Sequence, residues 1–88
     1  MRIERIPGEQ VTTIKLIGRM RADCLAELKE QIATGATSIA LELEELTLVD
    51  VEVVRFFGVC ESEGIQLLHC SAYIREWIAR EQEINNQQ

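Results

Sequence analysis

The stretch Ser38-Ile-Ala-Leu-Glu-Leu43, followed by Glu44 to Val49 and then by Asp50-Val-Glu-Val-Val-Arg-Phe-Phe57, decides the fold. Ile39, Leu41 and Leu43 alternate with Ala40 and Glu42, the two-residue period of a strand with one buried face. Glu44 to Val49 leads out of that strand. After Asp50 the period changes. Val53, Phe57 and Cys60 recur at helical spacing, with Val54 or Phe56 widening the stripe. Asp50 is a good N-cap, because a carboxylate accepts the backbone N–H groups that the first turn of a helix leaves unpaired. The spacing predicts a helix from there to about Glu63, with Gly64 as its stop.

Upstream, Arg2 to Ile6 and Val11 to Ile17 read as two strands joined through the turn pair Pro7-Gly8, a hairpin. Thr12, Ile14 and Leu16 share one face of the second strand, Thr13, Lys15 and Ile17 the other, and Gly18 breaks it. Ala22 to Ala33 reads as a helix capped by Asp23, with Leu25, Leu28 and Ile32 on its apolar side and Gly35 as its end. Downstream, Ile65 to His69 is the last strand, its inward face left open because Leu67 and Leu68 are adjacent. Ser71 caps a third helix, Ala72 to about Gln82. Its stripe is Ile74, Trp77 and Ile78, and Glu76 can pair with Arg80. Residues 1–84 form one domain, and Asn85 to Gln88 are a polar tail expected to be mobile. The order β-β-α-β-α-β-α predicts an α/β (α+β-like) fold: a four-stranded mixed sheet with three helices packed mainly on one face. Its later crossovers are expected to be right-handed.

The chain has 88 residues and a net charge of −6, with nine Lys and Arg against fifteen Asp and Glu. That balance argues against nucleic acid and anionic membrane as partners, since both need basic patches. It agrees with a partner that brings positive charge or apolar surface. No apolar run approaches the roughly 20 residues of a membrane-spanning helix. The start, Met1 to Gln10, is too polar for a signal peptide. Cys24, Cys60 and Cys70 are odd in number and lack metal-type spacing, so a reducing cytoplasm is the expected compartment, with no metal and no cofactor. The common phosphate-cradling loop motifs are absent. No pair of carboxylates stands out as a buried acid–base couple. An enzyme is not expected.

Three stretches carry a resemblance to a known family. Val11-Thr-Thr-Ile-Lys-Leu-Ile-Gly18 is similar to the second strand of STAS domains, the anti-sigma-factor-antagonist-like modules. Ile39-Ala-Leu-Glu-Leu-Glu-Glu-Leu-Thr-Leu-Val-Asp50 resembles the strand that ends in an aspartate before the second helix. Gly64-Ile-Gln-Leu-Leu-His-Cys-Ser71 resembles the family's last strand-to-helix unit. Cys70-Ser-Ala-Tyr-Ile-Arg-Glu-Trp-Ile78 is similar to a variant group of small STAS-like bacterial proteins. The resemblance implies a non-enzymatic regulatory module with a protein partner: a kinase-like anti-sigma factor, another ATPase or a sensor component. In regulatory members the aspartate is followed by Ser-Ser-Gly or Ser-Thr-Gly, and the first hydroxyl is the kinase target. Here Val51 stands at that position and cannot be phosphorylated. Glu52 and Val53 replace the second hydroxyl and the glycine. Arg21 stands where the family often has an aspartate. The chain thus resembles a short variant without the phosphorylation switch.

The candidate partner-binding residues are Asp50, Val51, Glu52, Arg55 and Arg21. Asp50 is first a helix cap; its functional reading is that the helix start is a docking edge. Glu52 suits the positive end of the helix dipole, and a phosphate mimic is the weaker reading. Val51 and Arg55, one turn apart, face away from the core if Val53 and Phe57 face it, which fits the core and rim of an interface. The structural reading tucks Val51 against the preceding loop. Arg19, Met20, Arg21 and Asp23 are placed in the loop after the second strand, where Arg21 is expected to pair with Asp50 or Glu52. Trp77 reads as core and Tyr73 as an edge residue. His69 and Cys70 point to opposite faces, a poor thiolate–imidazole pair. The alternative function is a homodimerising scaffold built on an exposed sheet edge or an apolar helix face.

Overall fold

The computed structural model describes residues 2–33 and 38–86. Its elements run β1 (Arg2–Ile6), β2 (Val11–Met20), a 3-10 turn (Ala22–Cys24) leading into α1 (Leu25–Ala33), β3 (Ser38–Glu42), β4 (Leu46–Val49), α2 (Val51–Ser62), β5 (Gln66–Leu68) and α3 (Ala72–Asn86). This is the expected mixed α/β architecture with one strand more. β1 pairs antiparallel with β2. β3 runs parallel to β2, and β5 parallel to β3, giving the order β1-β2-β3-β5. Parallel neighbours need long crossovers, and α1 and α2 supply them.

Register explains where the core lies. Ile3 stands beside Leu16, Thr12 beside Ile39, and Ile14 beside Leu41, which in turn stands beside Leu67. Leu28 of α1, Val53, Val54, Phe57 and Cys60 of α2, and Ile74 and Ile78 of α3 join this row in a single apolar cluster. The three helices therefore cover one sheet face. Leu67, not Leu68, is the inward residue of β5, because Leu68 falls beside Glu42 on the open face. Ala40 lies on that open face yet is buried, because β3 has a strand on either side and its methyl is flanked by Thr13 and Gln66.

Four expectations are corrected. β2 does not break at Gly18. Gly18 has φ +94°, a conformation that costs a residue with a Cβ about 1–2 kcal/mol, and the pairing register shifts between Gly18 and Arg19. The unpaired extra residue is Thr47, so the bulge is carried by the facing strand opposite the glycine, and from Gly18 onward β2 continues against this new partner. That partner is β4, so Leu46 to Val49 is a strand and not a lead-out. Arg19 pairs with Leu48, and Met20 with Val49. Arg19 and Met20 thus belong to β2, and Met20 is buried in the core. Second, Asp23 does not cap α1. The 3-10 turn starts from Arg21 with no side-chain cap. Third, the Ser71 hydroxyl is buried without a hydrogen-bond partner, while its carbonyl accepts the Arg75 N–H at 3.0 Å. Fourth, α3 passes Gln82 and reaches Asn86. Gly35, and the tail residues Gln87 and Gln88, lie outside the described residues.

Candidate functional site

The site is built around Asp50. Its backbone is extended (φ −104°, ψ 176°) and hands the chain from β4 to α2. One carboxylate oxygen accepts the Val53 N–H at 3.1 Å. The other accepts the Ala22 N–H at 2.8 Å. A single carboxylate therefore fastens the first turn of α2 to the segment that leaves β2. The expected capping role is present, and it is doubled. The expected pairing of Arg21 with Asp50 or Glu52 is not. Both Asp50 oxygens are already held by backbone donors, and Glu52 lies 3.6 Å from Arg55.

Of the other candidates, Val51 is half-buried, which fits its tucked reading, and Glu52 and Arg55 are exposed. Arg55 is engaged within the chain. Its Nε donates to Glu81 at 2.8 Å, and the Glu81 side chain is only 13% exposed. The Glu81 hydrogen bond and charge raise the guanidinium pKa above its ordinary value. Arg55 thus ties α2 to α3, a role that sequence spacing did not reveal because Glu81 lies 26 residues away.

What the fold does bring together is Arg19, Arg21 and Leu48. With Met20, Val49 and Asp50 they line a shallow cavity of about 220 Å³. Leu48 is 53% exposed, among the large apolar side chains least covered by the protein. Arg21 is extended (φ −111°, ψ 168°), so Arg19 and Arg21 project to the same side of the chain and Met20 to the other. Among the described residues the guanidinium groups of these two arginines form no ion pair or hydrogen bond, while the Arg21 carbonyl accepts the Cys24 N–H at 2.9 Å. The remaining cations each hold a carboxylate, a glutamine or an aromatic ring. Sequence places Arg19 in a loop and does not single out Leu48, because a glycine after an alternating run reads as a strand end. The available signal was the run Leu46-Thr-Leu-Val49, itself strand-like.

Elsewhere, a groove of about 350 Å³ separates α2 from α3, floored by Val54, Gly58 and Ile78 and spanned by Arg55 and Glu81. Cys60 of α2 is buried, and burial pushes its thiol up to about 12, so it stays protonated at neutral pH. His69 has φ +52°, and its Nδ1 lies 2.7 Å from Glu42. That contact, chiefly its hydrogen bond, raises the imidazole pKa. Burial pushes the Glu42 carboxyl up, but the His69 hydrogen bond, the Glu44 N–H and nearby positive charge leave it lowered overall. Glu42, Glu44 and His69 bring donor atoms within 4.8 Å of one another and could together hold a divalent cation. The β3–β5 pairing makes that cluster, so residue spacing gave no sign of it, and the His69–Glu42 ion pair already accounts for the imidazole. Cys70 does not pair with His69. Tyr73 is an edge residue, as read, and its hydroxyl donates to the Thr47 carbonyl at 3.0 Å. Trp77 packs half-buried against the core. No helix among the described residues is long and apolar enough to cross a membrane. No family model and no curated protein matches the chain, so its likeness to STAS domains rests on the stretches of sequence quoted above.

Proposed function

We propose that the chain is a non-enzymatic, STAS-like regulatory module that docks a protein partner in a bacterial cytoplasm, without a phosphorylation switch. The docking face comprises the end of β2, β4 and the first turn of α2. The observation that carries this reading is the exposed Leu48 beside Arg19, lining one cavity with Arg19 and Arg21, whose guanidinium groups are unpaired, where Asp50 fastens the backbone. An apolar centre with an arginine rim is the composition of an interface. A surface held by two charge-assisted bonds loses little freedom on binding. Val51, half-buried beside it, supports the absence of a switch, since it has nothing to phosphorylate. The three free cysteines agree with a reducing compartment. The partner classes are those the resemblance implies: a kinase-like anti-sigma factor, another ATPase or a sensor component.

Relative to the sequence expectation, the face moves from Val51 and Arg55 toward Leu48, Arg19 and Arg21, because Arg55 is engaged by α3. The test is capture of partners from the native cell by the tagged chain, identified by mass spectrometry. Leu48→Asp changes an exposed side chain and is expected to shift unfolding free energy by no more than about 0.5 kcal/mol. It is expected to remove the captured partner. A Leu48→Asp chain that retains the wild-type partner at wild-type yield would refute this face.

A further inference from the structure

Resting on that docking reading, we infer that the partner segment seated on this face is an acidic peptide, with carboxylates flanking an apolar side chain. The whole-chain charge of −6 suggests a cationic partner, but the local arrangement has the opposite sign. A chain with fifteen carboxylates has ample means to neutralise its arginines, yet none is used on Arg19 or Arg21. The nearby acids are otherwise engaged. Asp50 lines the same cavity with both oxygens on backbone N–H groups. Asp23 accepts from the Cys24 thiol at 3.8 Å, and Glu52 faces Arg55.

The geometry defines what would fit. Residues two apart in an extended chain lie about 6.6 Å from each other, so the two guanidinium groups straddle a span that a short peptide can bridge with two acidic side chains. Arginine offers a planar fork that binds a carboxylate through two parallel bonds. Leu48, in register with Arg19, gives the apolar contact beside them. A polynucleotide also carries anions, but it would run beyond two arginines onto an acidic surface, which repels it. A short peptide feels chiefly the charges within about 8 Å, the screening length at physiological salt. That difference favours the peptide.

The test uses the full chain, immobilised, and a random dodecapeptide display library as the probe. Recovered peptides are expected to be enriched in Asp and Glu around an apolar residue. Their binding is expected to fall about tenfold or more with Arg19→Glu/Arg21→Glu, by less with Arg19→Gln/Arg21→Gln, and to weaken as salt rises. Both variants alter exposed side chains, and their thermal unfolding is measured alongside. Peptides that are neutral or basic, yet lost with Leu48→Asp, would overturn the acidic chemistry and leave the docking face standing. Peptides bound equally by the Leu48→Asp chain would overturn both. Recovery of none above background, or displacement of the peptides by a single-stranded oligonucleotide at equal concentration, would overturn the inference.

Discussion

At the residue scale, Asp50 shows how a local rule acquires a long-range consequence. An aspartate before a helical run caps that helix, and this much is visible in the sequence. The second oxygen reaches Ala22, 28 residues earlier in the chain, and no local rule predicts it. The two bonds differ in what they require. Asparagine keeps one carbonyl oxygen and loses the second acceptor; alanine loses both. Asp50→Ala is expected to cost about 2 kcal/mol, and Asp50→Asn about half that. Urea unfolding of the two variants measures it. Equal losses for both would mean that the Ala22 contact contributes nothing. Arg21 was legible as exposed but not as unpaired, because its pairing depended on whether Asp50 had an oxygen to spare.

At the element scale, the alternating and helical periods located every α-helix and four of the five strands among the described residues, as the core residues of β2, β3 and α2 show. β4 was hidden for a physical reason. Gly18 signals a strand end when its backbone turns the chain away, and a bulge when it only rotates the strand. The same residue supports either, and the choice is made by a partner strand that lies further along the chain, Leu46–Val49. Here the Gly18 N–H donates to the Glu45 carbonyl at 3.0 Å, Gly18 pairs with Leu46, and pairing continues in a shifted register from Arg19. The His69–Glu42 contact is a second product of strand pairing and gives β5 a pH dependence. His69 is raised in the folded chain, so its stabilisation is complete below its unfolded value near 6.5 and is lost as pH rises through the higher folded value. Glu42 is lowered, so its share is present above its unfolded value of roughly 4.3 and is lost as pH falls through the folded one. The pair is therefore strongest at about pH 5 to 6.5. Asn tolerates the left-handed backbone that His69 adopts, so His69→Asn isolates the charge. The melting temperature of wild type should exceed that of His69→Asn most near pH 6, and the gap should narrow by about pH 9. A gap that is constant or that widens with pH would contradict the assignment.

At the scale of the whole molecule, one sheet face is buried under three helices, and the other stays open to water. Two exposed surfaces compete for a partner. One is the Arg19–Arg21–Leu48 face at the end of β2. The other is the open sheet face, where Ile6 is 51% and Val11 39% exposed. The alternative reading, a homodimer, would use the second. The central claim is that binding uses the first, and amide chemical-shift mapping of the isotope-labelled chain tests it most directly, alone over a range of concentrations and then with its captured partner. The account predicts shifts confined to residues 18–22 and 46–52 on addition of the partner, and no change on dilution of the chain alone. Shifts centred on Ile6, Val11 and Thr13, or moving with the chain's own concentration, would contradict it.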